Sequence, residues 1–320
     1  MTALAKQIAF YKRKTPKKVM ASIPLPYFAP GSELPQPLPS HDEITSLAAQ
    51  AKDDYSSRTT LRIGPFFIKY GQNVNLIEGQ NMLFVRSHTV VLVPRVYAIY
   101  TDLKTNVNYI IMEYIDGNTL GFEWGLLSEK QKERIARQLR CYMDDLRAIP
   151  SPGYYGSIGR RGLLDGIFWT GDDGYPDISG PFENEGEFND AMWKKYVYSS
   201  LPPAKADFYR DAFPVVLRDH GPSFTHGDFQ RKNIMIRRIP LTQQERSPMD
   251  DQGSLDEETF VLTVIDWEFA GWYPSYWDFA LALTACGRWG DDWHVWVRKI
   301  LDPFLNEFVW MQMLRNELWS

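Results

Sequence analysis

The sequence predicts an α+β protein of two lobes, in which a small, mostly antiparallel sheet lobe with one helix precedes a larger, mainly helical lobe. Three observations predict it. Runs rich in β-branched and aromatic residues, broken at Gly-Pro and polar turns, occupy residues 58–115. From Ser128 onward, apolar residues recur at three- and four-residue steps. Between the two patterns lies a short polar connector, "IDGNTL". The expected division is a basic and Pro-rich arm and linker over 1–39, a sheet lobe over 40–115 and a helical lobe over 116–320.

Taken in order, the chain opens on a stretch with no acidic residue before Ser32 but with Lys6, Lys12, Arg13, Lys14, Lys17 and Lys18. It fits a solvated arm or a strand packing on the body, with a mitochondrial presequence as the alternative. "IPLPYFAPGSELPQPLPS" holds six prolines and reads as an extended linker. "SHDEITSLAAQA" begins a helix, Ser40 and Glu43 forming a capping-box signature. "TTLRIGPFFIKYG" is strand, break, strand; "NVNLIEGQNMLFV" is helical, although Gly79 weakens it; "RVYAIYTDLKTNVNYIIMEYIDG" is a hairpin. "SEKQKERIARQLRCYMDDLRAI" is a long amphipathic helix capped by Ser128 and Gln131, with Ile135, Leu139, Tyr142, Met143, Leu146 and Ile149 along its apolar stripe. Helical, aromatic-rich sequence dominates the rest of the chain.

With 44% hydrophobic and 23% charged residues, the 320-residue composition is ordinary for a globular protein. A net charge of −5, from 35 basic and 40 acidic residues, gives no reason to expect a nucleic-acid partner. Two cysteines, Cys141 and Cys286, and no N-glycosylation triplet suit a reducing cytosol. No apolar run approaches the ~18 residues that cross a bilayer, so no membrane partner is expected. The expectation is a cytoplasmic protein of undetermined oligomeric state.

Chemistry concentrates in "HGDFQRKNIM", residues 226–235. "NIMIRRI" and "TFVLTVIDWEF" read as two strands joined by a long acidic turn carrying Asp250, Asp251, Asp256, Glu257 and Glu258. An antiparallel hairpin would set Asn233, at the start of the first strand, beside Asp266, at the end of the second. Two hard oxygen donors converging near Asp228 suit Mg²⁺, which keeps its other positions for water and phosphate. Phosphoryl transfer also needs a lysine on the phosphates, and Lys69 ends the strand "FFIKYG" with Glu78 placed to pair with it.

These stretches, "HGDFQRKNIM" followed by "VIDWEFAG" and preceded by "IKYG" and "LIEG", resemble the aminoglycoside phosphotransferase family within the protein-kinase-like superfold. "MEYIDGNTL", "PSPGYYGSIG", "GPFENEGEFN" and "WEFAGWYPSYWDFA" further resemble its fungal branch, whose members are mostly of unassigned function. The resemblance covers most of residues 40–315. It implies a bilobal protein-kinase-like fold and a kinase that uses ATP and Mg²⁺ to phosphorylate a hydroxyl of a small molecule. Asp228 would orient or deprotonate that hydroxyl, Asn233 and Asp266 would hold Mg²⁺, and Lys69, positioned by Glu78, would contact the phosphates. His226 would brace the loop, and the backbone around Glu113, Tyr114 and Ile115 would meet adenine. One departure stands out: "RIGPFF" lacks the G-x-G-x-x-G cover over the phosphates.

Two features bear on the acceptor. Between Gly162 and Trp193 stand Asp165, Asp172, Asp173, Asp177, Glu183, Glu185, Glu187 and Asp190, with no Lys or Arg. Such a segment is either a solvated loop or the lining for a cationic substrate. Trp289, Trp293 and Trp296 share helical spacing and form either core or the wall of an aromatic acceptor site. Two rival functions remain open: a catalytically silent nucleotide- or metabolite-binding relative, and non-phosphoryl chemistry on a fungal secondary metabolite with Asp228 as general base.

Overall fold

The structure, a computed structural model, describes residues 23–50, 59–171, 174–240, 258–287 and 289–319. The basic cluster from Lys6 to Lys18, Asp172, Asp173 and the acidic turn carrying Asp250, Asp251, Asp256 and Glu257 lie outside the described residues.

The structure has the expected bilobal α+β architecture. In the first lobe, β1 (Tyr27–Phe28), β2 (Thr59–Ile63), β3 (Phe66–Gly71), β4 (Val96–Asp102) and β5 (Val107–Glu113) form one antiparallel sheet in the order β1-β4-β5-β3-β2. The first of these corrects the linker reading: Tyr27 and Phe28 pair with Ile99 and Ala98, so the sheet begins inside the Pro-rich stretch. Proline is compatible with this position because an edge strand bonds on one side only. On one face of the sheet, α1 (His41–Gln50) buries Ile44 against Ile63, Phe66, Ile68 and Ile111. Its N-terminus is capped by Ser40 Oγ, which accepts from the Glu43 N–H at 3.2 Å.

The opposite face carries α2 (Ile77–His88), packed on Ile99 and Ile110. Gly79, unfavourable by propensity, is there because the helix lies so close to the sheet that a Cβ would stand 2.7 Å from Ile99 Cδ1 and 2.9 Å from its Cγ1. The strict alternation of β3 then divides its residues. Phe66 and Ile68 face the α1 side, whereas Phe67 and Lys69 face the cleft between the lobes.

The second lobe starts with β6 (Asn118–Thr119) and α3 (Leu120–Glu123). It continues with α4 (Glu129–Arg147), α5 (Pro176–Ser179), α6 (Glu185–Tyr198) and α7 (Pro203–Val216). After β7 (Pro222–Thr225) come β8 (Ile234–Pro240) and β9 (Glu258–Val264), which form the expected antiparallel hairpin with Ile234 opposite Val264. β10 (Gly271–Pro274) pairs with β7, and α8 (Trp277–Thr284), α9 (Trp293–Ile300) and α10 (Leu305–Leu318) end the fold. The capping box at Ser128 and Gln131 opens α4, and the six stripe residues from Ile135 to Ile149 are buried. No helix among the described residues is long and apolar enough to cross a membrane.

Trp293 and Trp296 belong to the core. Trp293 and Trp296 meet Trp124 edge-on, with centroids 4.9 and 5.9 Å away. Trp289 precedes α9, with a left-handed φ of 56° and an exposed ring, so helical spacing misplaced it. Asp292 ties this group together, accepting from Trp124 Nε1 at 2.8 Å, Trp296 Nε1 at 2.9 Å and Lys132 Nζ at 2.7 Å. Burial alone would raise its pKa, but the hydrogen bonds from Lys132, Trp124 and Trp296 outweigh it and hold the carboxyl at about 2.

Two outcomes are expected. Gly79→Ala gains up to ~1 kcal/mol of helix propensity but overpacks a buried contact at a cost of ~1–3 kcal/mol, so chemical denaturation should show a net loss. The Asp292 pKa is depressed from 3.8 to about 2, so its contribution is present above pH 3.8 and is lost as pH falls toward 2. Asp292→Asn should therefore flatten the acid limb of the melting-temperature profile across that window.

Candidate active site

Lys69, Glu78 and Asp266 come together from three elements and both lobes. Lys69 Nζ lies 2.8 and 2.9 Å from the two Glu78 oxygens and 2.9 Å from Asp266 Oδ1. All three ammonium hydrogens have a carboxylate oxygen. Burial opposes the Lys69 charge, but Glu78 and Asp266 more than offset it and raise its pKa. Burial pushes Glu78 up to about 7 despite the attraction of Lys69. Asp266 is also pushed up by burial, yet the Lys69 charge prevails and its pKa is lowered. Asp266 adopts a left-handed φ of 66°, a strained conformation held in place by these partners.

The helix that carries Glu78 is fixed to the other lobe. Asn81 Nδ2 donates to the Trp267 carbonyl at 2.8 Å, and Arg161 Nη2 donates to Gln80 Oε1 at 2.8 Å. Neither contact is visible in sequence patterns.

The loop from His226 to Asn233 is built around buried polar groups. His226 is fully buried; its Nδ1 accepts from the Asp228 N–H at 3.1 Å, which leaves Nε2 to donate to the Ile265 carbonyl at 3.0 Å. The ring thus ties the loop to the strand end that carries Asp266. Gly227 has φ 83°, and a Cβ there would fall 2.5 Å from the Phe269 carbonyl oxygen. Asp278, overlooked in the sequence, accepts from the His226 and Gly227 N–H groups at 3.2 and 3.0 Å. Its signal is an acid inside the apolar run "WDFALAL", which must find partners when buried. Burial raises its pKa, against the pull of His226, Arg147 and those two N–H groups.

Asp228 and Asn233 are joined directly: Asn233 Nδ2 donates to Asp228 Oδ2 at 2.8 Å and to the Asp228 carbonyl at 2.9 Å. The Gln230 amide donates to the other Asp228 oxygen. Because the Asn233 nitrogen is committed, its Oδ1 is left for another ligand, and Asp266 keeps Oδ2 beyond its Lys69 contact. These are two hard oxygens, the donor type that Mg²⁺ takes together with phosphate and water. No group of three His, Cys, Asp or Glu among the described residues could hold a metal unaided.

Two cavities flank this chain of residues. One, of about 270 Å³, lies between the lobes and is lined by Lys69, Glu78, Met112, Glu113, Tyr114, Ile115, Asn233, Met235 and Asp266, among others. The connector offers fewer donors there than expected: the Glu113 N–H goes to Arg95 O and the Tyr114 N–H to Pro65 O, each at 2.8 Å. Among the described residues, the Ile115 N–H has no such bond. Arg62, also overlooked, stacks 3.7 Å over the Tyr114 ring. The β2–β3 connection is the two-residue turn Gly64–Pro65, too short to fold over a triphosphate. The second cavity, of about 250 Å³, is lined by Asp165, Asp228, Gln230, Phe269, Leu281, Thr284 and Arg315, among others.

Of the described acidic residues between Gly162 and Trp193, Asp165 alone lines that cavity. Glu185 accepts from the Asp219 and His220 N–H groups at 2.9 Å, Glu187 completes the N-terminal cap of α6, Glu183 pairs with Arg160, Asp190 accepts from Trp193 Nε1, and Asp177 pairs with Lys194. Apart from Asp165, the described ones sit at helix ends and in surface pairs.

No protein-family model and no curated protein matches the chain. Similar solved structures include the GDP complex of wild-type aminoglycoside 2'-phosphotransferase-IIIa, with TM-score 0.48, 16% identity and coverage of 86% of this chain and 88% of that one. Aminoglycoside phosphotransferase APH(4)-Ia has TM-score 0.46, 15% identity and coverage of 86% and 97%. The streptomycin–ATP ternary complex of APH(2")-IIa has TM-score 0.44, 14% identity and coverage of 88% and 87%. They bear the family name that the sequence stretches resemble, but likeness of this degree carries no argument about chemistry.

Replacing His226 by Ala removes two buried hydrogen bonds and leaves a cavity, and should cost about 2–4 kcal/mol in chemical denaturation.

Proposed function

We propose that the chain is an ATP- and Mg²⁺-dependent phosphotransferase acting on a hydroxyl of a small molecule. The observation that carries the proposal is that Lys69 holds Asp266, Asn233 holds Asp228, and Asn233 and Asp266 line one cavity while Asp228 lines another. Nucleotide enters the first, where Met112 and Met235 offer apolar faces to a base and the Ile115 N–H offers a donor. Lys69 exchanges its Asp266 contact for a phosphate oxygen while Glu78 keeps it aimed. Asn233 and Asp266 would hold Mg²⁺, which offsets phosphate charge when bound.

Asp228, fixed by Gln230 and Asn233, faces the second cavity and accepts the proton of the acceptor hydroxyl. The hydroxyl oxygen forms a bond to the γ-phosphorus, the bond to the β–γ bridging oxygen breaks, and ADP leaves. A silent relative tends to lose at least one of these groups, and Lys69, Glu78, Asp228, Asn233 and Asp266 are all present here.

ATP with Mg²⁺ should raise the melting temperature. Asp228→Asn should keep that shift and lose roughly 10²–10⁴-fold in ADP release. Asp266→Ala should lose the Mg²⁺-dependent part of the shift. No shift at millimolar ATP would overturn the proposal.

A further inference from the structure

The cavity beside Asp228 contains one cationic side chain among its lining residues, and its surroundings are specific. Arg315, on α10, is held between Asp165 and Trp319: its Nη1 lies 3.4 Å from each Asp165 oxygen, and its guanidinium sits 4.7 Å over the Trp319 ring. Asp165 is 5% exposed and also accepts from the Ile167 N–H at 2.9 Å. The two charges offset one another, and the Asp165 oxygens are taken up by Arg315 Nη1 and the Ile167 N–H. Arg315 differs in the donors it has left. Among the described residues only Nη1 has a partner, so Nε and Nη2 keep unused donors in a side chain that is 23% exposed. Guanidinium donors in a planar fork match a carboxylate. Phe269, Leu281 and Ala285 add apolar wall to the same cavity, whose 250 Å³ suits a small molecule.

From this geometry we infer that the acceptor is a small hydroxy acid, its carboxylate gripped by Arg315 and its hydroxyl presented to Asp228. The inference rests on the phosphotransferase reading of the same site and names its substrate class. A polyamine would find Asp165 already paired, and its ammonium groups could not accept the free Nε and Nη2 donors of Arg315. Phosphoryl transfer would then yield ADP and a phosphorylated hydroxy acid, the hydroxyl proton passing to Asp228.

The test combines calorimetric binding, with and without ATP and Mg²⁺, with ADP release. The probes are 3-hydroxybutyrate and glycerate against the neutral 1,3-butanediol, ethanolamine and kanamycin. The wild-type protein should prefer the hydroxy acids to the diol and the amines. Arg315→Gln should raise KM for the acid roughly 10- to 100-fold, with a smaller change in kcat, and Arg315→Lys should recover part of the loss. Should Arg315→Gln fail to fold, the wild-type preference for acid over diol and the Arg315→Lys variant still decide. Phosphorylation of ethanolamine or kanamycin in place of the acids, or an Arg315→Gln variant with unchanged acid affinity, overturns the inference and leaves the phosphotransferase reading intact. If no nucleotide binds, that reading fails; acid binding lost in Arg315→Gln then still supports the Arg315 site, and no acid binding overturns it.

Discussion

One ammonium group joins the two lobes. Lys69 comes from the sheet, Glu78 from the helix lying on that sheet, and Asp266 from the end of a hairpin in the second lobe. Taking such charges even partly out of water is costly unless each is paired, and Glu78 is the most buried of the three. The arrangement is tolerable only if all three arrive together. This explains features otherwise hard to account for. Gly79 sits mid-helix because α2 must lie flush on Ile99 to bring Glu78 within reach. β3 must keep its alternation, since a slip of one residue would turn Lys69 to the α1 side.

A second buried polar group does comparable work in the other lobe. Asp278 holds the backbone of His226 and Gly227, and His226 in turn holds Asp228 and Ile265. Both ends of the hairpin that offers Asn233 and Asp266 are thus positioned from behind by groups that never meet a ligand. In a low-dielectric interior every member of such a network must be satisfied, which gives the loop one conformation instead of several. The strained φ of Asp266 persists inside this frame.

The parts legible in the sequence were those written in local periodicity or short spacing. Alternation marked β2, β3, β4 and β5, the three-and-four step marked α4, and the hairpin rule brought Asn233 to Asp266. What stayed hidden depends on partners far along the chain. Tyr27–Phe28 is a strand only because Ile99 and Ala98 lie beside it. The carboxylates between Asp165 and Asp190 look alike in sequence, yet one lines a cavity, another receives the chain at Asp219 and His220, and others close helix ends or pair on the surface. Trp289 failed for a different reason: helical spacing was extended past the point where the backbone turns left-handed.

The anchoring of α2 has a wider consequence. A helix packed against a second lobe is an element that can swing outward. Here Asn81 is tied to Trp267 and Gln80 to Arg161, so an outward swing would break two interlobe hydrogen bonds as well as the buried ion group. The seam is thus fastened at three points along one helix: Glu78 by way of Lys69, Gln80 and Asn81.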